Sequence, residues 1–243
     1  MKLKICCALM GASLFITPSV FAQIIGTGSL KITAPNYAPD QAGPYLVQIA
    51  TSAGVTPGST SFQTFCIGSQ VDYSPGSTYS YQISNTVLPA SVGSPGYVTW
   101  GTAYLYSQFL AGALGVGGTS STTVATGTID QTINDALQVA IWELQGQSLS
   151  GITYGAPLNT ADVNQFLTDA ANAASAANVS NDENEANGAF GIYALNMSSG
   201  STPAQPELVQ VAVPEASTIL AGALMILPLG IGAFRALRKV RVA

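Results

Sequence analysis

The chain of 243 residues contains no histidine, and that absence removes several chemistries together. Ser-His-Asp and Cys-His catalysis need an imidazole base, and many metal sites need an imidazole ligand. Charge is scarce as well. Asp, Glu, Lys and Arg make up 8% of the residues, against about 25% in an ordinary globular domain. The three cysteines, Cys6, Cys7 and Cys66, do not have the spacing of a zinc site. Basic residues are nearly confined to the ends: Lys2 and Lys4 at one, Arg235, Arg238, Lys239 and Arg241 at the other. Between residues 23 and 213 a single base, Lys31, stands against eleven acids, so this stretch carries a net charge of −10. Phosphate neutralisation requires Lys and Arg, so nucleic acid is excluded as a partner. An apolar content of 47% also excludes a globally disordered chain.

The two ends read as addresses. Met1–Ala22 has the form of a signal peptide: Lys2 and Lys4, an apolar run from Ile5 to Ile16, then Val20-Phe21-Ala22 before a mature start at Gln23. Cys6 and Cys7 leave with it. At the other end, 216–234 is 19 residues without a charge, long enough to span a bilayer. The basic tail that follows predicts a cytoplasmic C-terminus. Immediately before this run stand Pro214 and Glu215. A Pro-Glu motif, an apolar helix and a basic tail, in this order, resemble the PEP-CTERM sorting signal. The resemblance covers about the last 30 residues. It implies an exosortase-type processing enzyme as partner, transient anchoring in the inner membrane of a Gram-negative cell, and delivery to the surface or extracellular matrix. Ala216 departs from the family, which more often has a second proline there. A plain single-pass anchor is the alternative.

Residues 23–213 are enough for one exported domain with its own core. Alternation of apolar and polar residues between turn formers predicts strands at Ile24–Thr33, Tyr45–Thr51, Ser61–Ile67 and Thr78–Ile83. In Ser61–Ile67 the alternation places Phe62, Thr64 and Cys66 on one face of a half-buried strand. A helical period follows over Val98–Leu114, stopped by Gly115-Val116-Gly117-Gly118. Thr128 and Gln131 have capping-box spacing and open a second helix. Its apolar stripe is Ile133, Leu137, Ala140, Ile141 and Leu144, and Gly146 is its expected C-cap. A third helix starts at Asn159 or Thr160, and strand character returns at Ala189–Asn196 and Glu207–Val213. The expected fold is α+β: a mainly antiparallel β-domain with an inserted helical subdomain, flanked by a signal peptide and a C-terminal transmembrane helix. The acidic run Asn181-Asp182-Glu183-Asn184-Glu185 is a candidate Ca²⁺ turn, but it lacks EF-hand spacing and a solvated loop is the preferred reading.

After processing, Cys66 is the one cysteine left, in a compartment where cysteines usually pair. It is a core thiol, an intermolecular bridge or a reactive group. The words around it bear on the choice. Thr64-Phe65-Cys66-Ile67 lies upstream of Leu137-Gln138-Val139-Ala140-Ile141-Trp142-Glu143 on the capped helix. Together they resemble the bacterial thioester domain, with its aromatic-Cys-aliphatic strand and Thr-Gln-x-Ala-Ile-Trp helix. The resemblance implies that the Cys66 sulfur and the Gln138 carbonyl join with loss of ammonia. Leu137 stands where the family commonly has Thr, and Gly68 where an acid is frequent.

The helix period adds neighbours to Gln138. Trp142 at i+4 and Asp135 at i−3 share its face. Trp142 is a candidate shield against water, with ordinary core packing as the preferred reading, and Asp135 or Glu143 is a candidate proton acceptor for an attacking nucleophile, with a solvated helix face as the preferred reading. A thioester needs no cofactor and no metal to acylate an amine or hydroxyl. The near-absence of internal lysine suits a protein that carries such an electrophile, but the Lys-poor, Ser/Thr/Gly-rich composition common in secreted matrix proteins is the preferred account of it. Two functions from different classes follow. One is a surface or matrix adhesion protein that attaches covalently, in a single turnover and so not as an enzyme, to a polysaccharide or other surface nucleophile. The other is a non-covalent structural or carbohydrate-binding matrix protein, with Cys66 an inert thiol and strand tyrosines such as Tyr79 and Tyr81 as a stacking surface. A hydrolase with a carboxylate pair finds no motif here.

Overall fold

A computed structural model describes residues 24–33, 43–53, 61–69, 72–88, 96–114, 128–152, 154, 157–181 and 188–211. The signal peptide at 1–22, Pro214, Glu215, the apolar run 216–234 and most of the acidic turn at 181–185 lie outside the described residues. No helix among the described residues is long and apolar enough to cross a membrane.

The fold is α+β. Strands β1 (Ile24–Thr33), β2 (Tyr45–Ala53), β3 (Ser61–Thr64) and β4 (Thr78–Ser84) come first. Helices α1 (Trp100–Leu110), α2 (Thr128–Leu144) and α3 (Thr160–Ala177) follow. A 3-10 turn (Ala189–Gly191) then leads into β5 (Ile192–Ser199), β6 (Thr202–Pro203) and β7 (Glu207–Gln210). All strand pairs are antiparallel, in the order β3-β2-β1-β4-β5, with β6 and β7 both on the far side of β5. The helices are inserted between β4 and β5, as the sequence order predicts. They do not form a separate body: Leu30, Ile32 and Val47 of the sheet belong to one continuous core with Ala136, Leu137 and Ile141 of α2.

The helix ends follow local chemistry. Thr99 caps α1, its hydroxyl accepting from the Thr102 N–H at 3.3 Å. Asn159 caps α3 through the Ala161 N–H at 3.1 Å, and Asn178 closes it in the left-handed region. Gly146, with φ +62°, ends α2 in a Schellman pattern: Gln147 N–H to Trp142 O at 2.9 Å and Gly146 N–H to Glu143 O at 3.0 Å. Helix α1 stops at Leu110, short of the expected Leu114, because Gly112 already turns the chain at φ +69°.

The two outer strands of the sheet meet. Thr64 Oγ1 donates to Leu208 O at 2.6 Å, Leu208 N–H donates to Phe65 O at 3.0 Å, and Ile67 N–H donates to Pro206 O at 2.8 Å. Cys66 and Glu207 face one another across this seam as an isolated antiparallel pair. The ring β3-β2-β1-β4-β5-β7 thus closes where Cys66 lies. Closure changes the expected half-buried strand: every residue from Ser61 to Ile67 is buried, on both faces. Phe65 packs edge-on to Phe109 of α1 at 4.8 Å, and the Tyr106 hydroxyl donates to Gln63 O at 2.8 Å. Tyr79 and Tyr81 are also buried, at 5% and 4% exposure, because β4 turns that face into the core. They therefore offer no stacking surface.

Candidate functional site

Cys66 follows β3 directly. The register Tyr45↔Thr64, extended by two residues, would bring Gly43 opposite Cys66. Cys66 does not pair there, because the Gln138 amide occupies the place of a strand neighbour. The Cys66 N–H donates to Gln138 Oε1 at 3.0 Å, and Gln138 Nε2 donates to Cys66 O at 2.7 Å. The reciprocal bonds fix which end of the amide is oxygen. Room for it exists because residue 43 is glycine. A Cβ at Gly43 would lie 3.2 Å from Gln138 Oε1 and 2.8 Å from the Phe65 ring. This also explains why the regular strand ends at Thr64.

The Cys66 thiol donates to the same Gln138 Oε1 at 3.2 Å. The sulfur thus lies beside the carbonyl group whose carbon it would attack. Cys66 is a free thiol, and both side chains have zero exposure. The geometry suits acyl chemistry in a further respect. Attack of sulfur on the amide carbon would drive negative charge onto Oε1, and the Cys66 backbone N–H already points at that atom.

Tyr45, Thr64, Cys66 and Glu207 fall on one face of the seam, since residues directly opposite in an antiparallel pair share a face. The Tyr45 hydroxyl hydrogen-bonds the Cys66 sulfur, and Tyr45 meets the half-buried Tyr73 edge-on at 5.2 Å. Trp142, 1% exposed, comes in from α2. Its indole N–H has no partner at standard hydrogen-bond distance, but it acts on the thiol as a nearby donor, lowering its pKa. The larger effects run the other way: burial first, then the Glu207 carboxylate, push the thiol well above its ordinary range. Tyr45 is raised by burial and then by Cys66 and Glu207. Glu207 is raised well above the usual carboxylate range by burial alone. Every ionisable group at the site is held toward its neutral form.

The structure therefore brings Cys66, Gln138 and Trp142 together, as the sequence suggested. The other two candidates, Asp135 and Glu143, are not among the groups that shift the Cys66 thiol. Glu143 is exposed, and Asp135, though buried, acts with Glu143 on the Tyr154 hydroxyl. The carboxyl group beside the sulfur is Glu207, which sequence reasoning did not single out. Its signal was an acid heading the apolar run Leu208-Val209. Among the described residues no cluster of His, Cys, Asp or Glu fits a metal ion.

Glu207 has a stability consequence with a definite sign. Its folded-state pKa lies above the ordinary 4.5, so between the two values the folded protein binds the extra proton. Stability is then complete below about pH 4.5 and falls as pH rises toward the folded value. Glu207→Gln, which removes a buried ionisable group while keeping its shape, is expected to flatten this slope and raise Tm at neutral pH. Thermal unfolding at a series of pH values checks it. Parallel curves for the two proteins would contradict it.

No protein-family model, no curated protein and no solved structure matches this chain.

Proposed function

We propose that this chain is an exported surface or matrix protein whose Cys66 and Gln138 condense into an internal thioester, spent in one acylation of an amine or hydroxyl on a polysaccharide or another surface. The observation that carries the reading is the Cys66 sulfur at 3.2 Å from the Gln138 carbonyl oxygen in a site with no exposure to water. Thioesters hydrolyse slowly only where water is excluded, and burial by Trp142, Phe65 and Tyr45 supplies that condition. The reaction loses one ammonia: the sulfur displaces the Gln138 amide nitrogen, and the thiol proton leaves with it. No cofactor enters. The chain's one internal lysine, Lys31, lies exposed on β1 while the pair is buried, so self-acylation is disfavoured.

The reading of the ends rests on sequence: export by 1–22, and sorting by Pro214, Glu215 and the apolar run 216–234 through an exosortase-type enzyme. A second reading draws on the same burial. A fully buried thiol with a raised pKa is also what an inert core cysteine looks like, and the protein is then a non-covalent structural or carbohydrate-binding matrix component.

Intact-mass spectrometry on protein produced from the full sequence separates the two. The wild type is expected to be lighter by one ammonia than its processed sequence requires. Cys66→Ala is expected to have full mass, and methylamine is expected to open the wild-type bond and add its own mass at Gln138. A folded wild type of full mass would leave the inert-thiol reading.

A further inference from the structure

Thioester formation requires a proton to travel from the Cys66 sulfur to the departing Gln138 nitrogen, and the backbone geometry shows which group stands beside that route. The seam bonds Ile67 N–H to Pro206 O and Leu208 N–H to Phe65 O flank the Cys66/Glu207 pair on both sides. Neither residue of the pair bonds the other through the backbone. This is the narrow type of antiparallel pair, in which Cα atoms are about 4.5 Å apart and side chains are closest. Glu207 and Cys66 therefore project together from one face of the seam.

Glu207 is fully buried, and neither carboxyl oxygen has a hydrogen-bond partner among the described residues. Leaving a carboxyl group buried and unpaired is costly, and apolar residues would serve packing better at this position. Leu208 and Val209 beside it do so. The groups that face Glu207 electrostatically are Cys66, Tyr45 of β2, Tyr73 and Tyr106 of α1. None of these is a base at neutral pH.

We infer that Glu207 is the proton-transfer residue of thioester formation: its carboxylate takes the proton from Cys66 Sγ as the sulfur attacks Gln138 Cδ, and returns it to Nε2 as the C–N bond breaks. The S–H and C–N bonds are lost, the S–C and N–H bonds are gained, ammonia departs, and Glu207 ends as it began. The Cys66 N–H holds the transient charge on Oε1. Burial assists the exchange, because a carboxyl group raised toward the thiol's range is a better match for its proton than an exposed one. This inference rests on the thioester reading above.

The test uses full-sequence protein whose bond has been opened with ammonia, which restores the thiol and the amide. After removal of ammonia, closure is followed by intact mass across a pH series. Wild type is expected to close with a rate that rises as Glu207 ionises, before the higher thiol titration. Glu207→Gln is expected to close roughly a hundredfold more slowly or worse, and to lack that first rise. Glu207→Asp, keeping a carboxyl group, is expected to recover part of the rate. A purely structural role would not move the pH profile. If Glu207→Gln closes at the wild-type rate and with the wild-type profile, the inference falls while the thioester stands. If wild type never loses ammonia, both fall. Should Glu207→Gln fail to fold, the wild-type profile decides: no rise before the thiol titration overturns the role.

Discussion

Gln138→Ala is expected to destabilise the protein by about 3–5 kcal/mol, even counting non-covalent contacts alone. The amide is the partner of both backbone groups of Cys66, at 3.0 and 2.7 Å, and of its thiol at 3.2 Å. Each backbone group left buried without a partner costs about 1–3 kcal/mol. The lost side chain also leaves a cavity between α2 and the seam, on the side where residue 43, a glycine, has no side chain to fill it. With the thioester formed the loss is larger. A cross-link over a separation of 72 residues restricts the unfolded chain by about 4 kcal/mol on the loop-entropy model developed for disulfides. Cys66→Ala removes the cross-link and retains the amide nitrogen that the thioester form loses as ammonia, so it has both amide-to-backbone bonds where the thioester form has only the one to Oε1. Urea unfolding of wild type, Cys66→Ala and Gln138→Ala thus apportions the covalent and non-covalent roles. A Gln138→Ala midpoint equal to that of Cys66→Ala would show that the amide-to-backbone bonds contribute nothing.

Trp142→Ala is the second change with a large expected effect, again about 3–5 kcal/mol. Trp142 is the largest of the fully buried side chains and sits one helical turn after Gln138. Its loss opens a cavity beside the sulfur and admits water to a site that otherwise excludes it. Two readouts are expected to change together: a lower urea midpoint, and faster loss of the thioester to hydrolysis on standing. Trp142→Phe keeps most of the apolar volume and removes the indole N–H that faces the thiol. It is expected to hold stability far better than Trp142→Ala. Equal midpoints for Trp142→Ala and wild type would contradict the packing role. Equal hydrolysis rates would contradict the shield.

Much of the scaffold could be read from residues close together in the chain. The caps at Asn159 and Gly146 depend on local hydrogen bonds, and the strand at Ile24–Thr33 and the helix from Thr128 on period, which neighbouring residues set. Errors arose where a distant element intervened. Ser61–Ile67 alternates as a half-buried strand does, but β7 and α1 cover it on both sides.

Composition alone narrows the chemistry that is open to this protein. Without histidine, with one cysteine past residue 22 and one internal lysine, few reactions remain, and Cys66 and Gln138 can be named from the words around them. The surroundings of that pair follow from the fold. It sets the Gln138 amide in the place of a strand neighbour to Cys66, through room left by Gly43, and puts Glu207 across a narrow pair from the sulfur. The physical reason is ring closure. Residues 66 and 207 meet because the first and last strands of the sheet exchange hydrogen bonds, and no period or motif within either segment encodes that meeting.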